Sequence, residues 1–79
     1  MRVDVDWDAL ELVFLLPMPP SWGKAKRARM RHTPHKQRPD VDNLCKSVLD
    51  ALLSEDSHVW NIKAKKLWSI TGAIIVKTV

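Results

Sequence analysis

The chain has 79 residues, of which 46% are hydrophobic and 28% charged, and thirteen Lys or Arg against nine Asp or Glu give a formal net charge of +4. That length allows one domain, residues 1–79, near the lower limit for a self-sufficient hydrophobic core, and excludes a multidomain enzyme within these residues. A single cysteine, Cys45, excludes an intramolecular disulfide and fits a reducing cytosol, so assembly with another chain is the expected source of extra stability.

Residues 1–8 alternate Val3 and Val5 with acids and read as a strand or a frayed end. With Asp4, Asp6, Asp8 and Glu11 among the first eleven residues, this start does not look like a signal peptide. The longest apolar run, 12–18, is too short to span a bilayer. A cytoplasmic chain without membrane attachment is the expectation. Residues 10–16 are rich in strand formers and closed by Pro17, Pro19 and Pro20, which predicts a strand.

Residues 21–38 show no apolar period, and Gly23, Pro34 and clustered charges predict a long loop. Within it lie Lys24, Lys26, Arg27, Arg29, Arg31, Lys36 and Arg38, with no acid, and His32 and His35 besides. A charge run is ordinarily a solvated surface. This one abuts a cluster of carboxylates, so it reads as a phosphate-contacting arm.

The next element is a helix from about Asp42 to Leu53. Pro39 precedes it, and Asp40 or Asp42 can cap it. Leu44, Val48 and Leu52 recur every four residues, widened to a core-facing band by Cys45, Leu49 and Leu53. Cys45 in that band reads as a small buried apolar residue, not a nucleophile. A polar break at 54–57 follows. Residues 59–68 then alternate Trp60, Ile62 and Ala64 against Asn61, Lys63 and Lys65 and predict a strand; Thr71 and Gly72 make a turn, and 73–79 a last strand. The short link predicts that these two strands pair directly and antiparallel. The expected fold is α+β, a small mixed or antiparallel sheet with one main helix, one sheet face of which needs a partner to cover it.

Asp40 and Asp42 stand two apart at the helix start, where free N–H groups and the helix dipole favour ionised carboxylates. One capping Asp is commonplace; two leave one for another purpose. Carboxylates are hard oxygen ligands, and Mg²⁺ is usually held by one or two of them plus substrate phosphate. Lys46, four residues beyond Asp42 on the same helix face, reads equally as half of a surface ion pair or as a cation for a phosphate. Asp56 and Glu55 follow a helix about 18 Å long, so spacing alone makes both weak partners for Asp40. Asp50, two turns from Asp42, reads as a solvated or structural charge. His32, His35, Cys45 and His58 match no closed zinc-ligand spacing, and there is no glycine-rich phosphate loop, since Gly23 and Gly72 are the only glycines.

The residues from Val13 through Val76 resemble the RusA family of Holliday-junction resolvases, the crossover-junction endodeoxyribonucleases. The marker is Pro-Asp-Val-Asp-Asn-Leu-x-Lys-x-x-Leu-Asp-Ala-Leu from Pro39 to Leu52, followed by the acidic turn Glu55-Asp56-Ser57-His58-Val59. Pro17-Met18-Pro19-Pro20-Ser21-Trp22, the basic loop with Pro34-His35, Trp68 and Gly72-Ala73-Ile74 add to the likeness. The resemblance implies three metal-binding carboxylates at Asp40, Asp42 and Asp56 and a catalytic lysine at Lys46. It also implies Mg²⁺, a homodimer, and paired nicks across a four-way DNA junction in recombination and repair. Longer members carry more chain before the strand at 10–16, so the expectation is a form shortened at its amino terminus. Two other readings stay open: a non-catalytic DNA-binding remnant, and a nuclease for other branched DNA.

Overall fold

The computed structural model describes residues 9–52 and 59–78. In chain order these form strand β1 (Ala9–Pro17), helix α1 (Lys24–Met30), helix α2 (Val41–Leu52), strand β2 (Asn61–Ser69) and strand β3 (Ala73–Thr78). The fold is α+β, a three-stranded mixed sheet in the order β2-β1-β3 with both helices in the connection from β1 to β2. The expected amino-terminal strand or frayed end at 1–8, the polar break at 54–57 and Leu53 lie outside the described residues.

β1 is central because it alone is apolar on both faces. Leu10, Leu12 and Phe14 point one way, Ala9 and Val13 the other, and all five are buried. It runs parallel to β2, from Ala9 opposite Asn61 to Pro17 opposite Ser69, and antiparallel to β3, from Leu10 opposite Thr78 to Leu15 opposite Ala73. The expected direct pairing of the last two strands is therefore wrong. A short link does join them, but it passes the end of β1: a Cβ added at Gly72 would lie 3.6 Å from Pro17 Cδ and 3.7 Å from the Leu15 carbonyl oxygen. The doubly apolar strand needs a neighbour on each edge, and the two half-polar strands supply them.

The parallel β1–β2 pair requires a long crossover, which is where the helices sit. α2 lays Val48 onto Leu12 and Phe14, and Leu44, Cys45 and Val76 pack around that cluster. Phe14 is 1% exposed, and burying such a side chain contributes about 1.5–3 kcal/mol. The apolar band fades toward the end of α2, where Leu52 is 48% exposed.

The expectation of a loop through 21–38 is corrected by α1. Its residues, Lys-Ala-Lys-Arg-Ala-Arg-Met, are strong helix formers. None is buried, so no apolar period exists to betray the helix. Arg31 ends it and His32 follows in the left-handed region, at φ 61°, a common way for a helix to stop. No helix among the described residues is long and apolar enough to cross a membrane.

Candidate metal and nucleic-acid site

The backbone between α1 and α2 is laid along the outer edge of β2. The His32 amide donates to the Trp68 carbonyl (2.8 Å), the Trp68 amide to the Thr33 carbonyl (3.0 Å), and the His35 amide to the Lys66 carbonyl (2.9 Å). Pro34 bridges Leu67 in antiparallel sense. This short pairing covers part of an otherwise open sheet edge and delivers the chain to the start of α2.

At that start the Asp40 carbonyl accepts the Leu44 amide (3.1 Å), the first bond of the helix, which makes Asp40 the cap residue. Asp42 lies in the first turn. Both are exposed. Arg38, Pro39, Asp40 and Asn43 line an open hollow. A carboxylate and an amide oxygen in one solvent-accessible hollow, with a second carboxylate on the adjoining turn, are hard oxygen donors of the kind Mg²⁺ takes, and the residues present fit it. Among the described residues, no three His, Cys, Asp or Glu side chains gather as a metal cluster. Asp56, the third expected carboxylate, lies outside the described residues, as do Glu55 and His58.

Lys46 is exposed on α2, one turn beyond Asp42. The ion pair between them that spacing allowed is not formed; the ion pair present among the described residues joins Lys77 to Glu11 at 4.0 Å. Asp50 is exposed on the same helix. Cys45 packs against the core, and burial, then the Asp42 charge, push its thiol pKa above the ordinary value, which keeps it protonated.

Six of the seven arm cations, Lys24, Lys26, Arg29, Arg31, Lys36 and Arg38, are exposed. Arg27 is half-buried, and its guanidinium donates to the Trp22 carbonyl (2.9 Å) and the Pro19 carbonyl (3.2 Å), so it braces the arm against the end of β1. Lys26 Nζ lies 4.3 Å over the Trp22 ring. Trp22, Lys26, Lys36, Gln37 and Trp68 line a groove that leads to the segment before Asp40.

Two features of the site went unread in the sequence. Lys66 Nζ donates to the Gln37 carbonyl (2.5 Å) and the Pro39 carbonyl (2.7 Å), tying β2 to the residues just ahead of Asp40. The available signal was its parity: Lys66 lies opposite Phe14, on the sheet face that carries the core cluster, where a lysine needs acceptors for its ammonium. The second is a stack in which Trp22 and His35 both rest on Trp68, with ring centroids 4.7 and 4.1 Å away.

A family model described as "Endodeoxyribonuclease RusA" matches residues 4–78. No curated protein and no solved structure matches the chain.

Proposed function

The chain belongs to the RusA family of endodeoxyribonucleases, hydrolases of DNA, and on that premise we propose that it is a Mg²⁺-dependent resolvase of four-way junctions. The observation that carries this reading is continuity. The basic, tryptophan-lined groove ends at Gln37, and the carboxylate hollow begins at Arg38. A backbone phosphate held by the first is handed to the second.

In this reading Asp40, Asp42 and Asp56 hold the ion. An ion held by those carboxylates would supply Lewis-acid chemistry, activation of water and polarisation of the phosphate. Lys46 stabilises charge developing on the phosphate oxygens. Lys24, Lys26, Arg29, Arg31, Lys36 and Arg38 grip the phosphate backbone, which gives salt-sensitive affinity with little reading of base edges. Arg27 holds the arm in shape. The single domain works as a homodimer in the cytoplasm, since resolution needs one cut on each of two opposed strands and a two-fold axis supplies both. The exposed Ile74 and Ile75 on the edge strand β3 support such an assembly.

The test is cleavage of a labelled four-way junction against linear duplex, in Mg²⁺ and in EDTA, beside Asp42→Asn. Paired symmetric nicks on the junction alone, abolished by EDTA and by the substitution while junction binding persists, are the expected result. Equal cutting of duplex would replace junction specificity with a general nuclease. No cutting by folded protein would leave a DNA-binding remnant.

A further inference from the structure

We infer that Lys66 is a positioning residue for Asp40, a role that rests on the reading of Asp40 as a metal ligand. A lysine ammonium has three donors and no acceptor. Here two of them are spent on carbonyls two residues apart, those of Gln37 and Pro39. The Pro39 carbonyl belongs to the peptide whose nitrogen is that of Asp40, so Lys66 orients the plane from which Asp40 departs. Its main chain holds the same segment at the other end, because the Lys66 carbonyl accepts the His35 amide at 2.9 Å. One residue therefore clamps 35–39 at both ends.

The clamp is referred to the core. Lys66 lies opposite Phe14 in the parallel β1–β2 register, and Phe14 sits in the cluster that α2 packs on. The start of α2 is thus located twice, by Val48 from the helix side and by Lys66 from the sheet side. Charge-assisted bonds of this kind are stronger than neutral ones, and ligands held only by a loop are otherwise loose by about the 1 Å that costs activity. Lys66 touches neither substrate nor ion in this account; it acts through the backbone of Asp40.

Amide exchange in EDTA, Mg²⁺ titration followed by the Asp40 and Asp42 amide resonances, and junction kinetics separate this from general stabilisation. Lys66→Met keeps the stem and removes the donors; Lys66→Gln serves if that protein does not fold, and Lys63→Met, with its side chain on the opposite sheet face, is the control. The expected result for Lys66→Met is exchange at the His35 amide, which is bonded to the Lys66 carbonyl, faster by about tenfold and Mg²⁺ affinity weaker by a similar factor. Catalytic rate should fall with the junction KM unchanged, and Lys66→Arg should restore part of each loss. Exchange and Mg²⁺ affinity equal to those of the unsubstituted protein would overturn the inference. Should the unsubstituted protein bind Mg²⁺ but leave junctions uncut, the proposed function fails, while exchange and affinity still decide the role of Lys66.

Discussion

His35 lies against Trp68 with ring centroids 4.1 Å apart, and its Nδ1 is buried without a hydrogen-bond partner among the described residues. Burial first, and the Lys66 charge second, hold its pKa below the ordinary 6.5. The folded protein therefore keeps His35 neutral where the unfolded chain already binds a proton. Stability from this group is complete above pH 6.5 and is lost as pH falls from there through the lower folded value. Denaturant midpoints measured from about pH 8 to about pH 5 should decline on the acid side, and His35→Phe, which keeps a ring on Trp68, should flatten that part of the decline. An identical acid slope in the variant would remove His35 as its source.

Arg27 and its neighbours on α1 should part company when each is replaced by alanine. Arg27→Ala removes two charge-assisted bonds to main-chain carbonyls in a half-buried place and should cost about 1 kcal/mol of stability. Arg29→Ala should leave stability unchanged and, with Arg29 gripping one phosphate, lower the slope of log affinity against log salt by about 1. Thermal melts and salt-dependent junction binding on the two proteins check both halves. Equal destabilisation by both substitutions would contradict the brace assigned to Arg27.

The core cluster predicts a graded series. Phe14→Ala should cost about 3–5 kcal/mol, enough to unfold most of a domain this small. Val48→Ala leaves a smaller void and should cost about 1–2 kcal/mol. Leu52→Ala, at a position already half exposed, should cost less than about 1 kcal/mol. Urea denaturation of the three variants measures the series, and a Leu52 loss as large as that of Val48 would mean that something buries Leu52 in solution.

Much of this architecture was legible in the residue pattern. The apolar run ahead of three prolines marked β1 to within a residue at each end. The four-residue recurrence of Leu44 and Val48 marked α2, because a helix that packs on a core must repeat its apolar side chains at that spacing. The carboxylates at 40 and 42 were visible because the same pattern fixes where the helix begins. α1 was not visible, since a helix with no buried face leaves only propensity as its signal, and charge with Gly23 and Pro34 nearby outweighed it.

The sequence by itself therefore determined the elements whose apolar faces are periodic, the family motif, and the placing of acids directly after a basic stretch, because periodicity, capping and composition act over a few residues. Only the tertiary structure decided that β1 lies between β2 and β3, that Arg27 turns inward while its neighbours stay in solvent, and that Lys66 reaches back to the carbonyls before Asp40. Each of those depends on pairings between residues far apart in the chain. The physical reason is that a strand formula or a lysine carries no local record of its partner; the partner is chosen when the most apolar strand takes the centre of the sheet and the remaining chain must satisfy its polar groups around it.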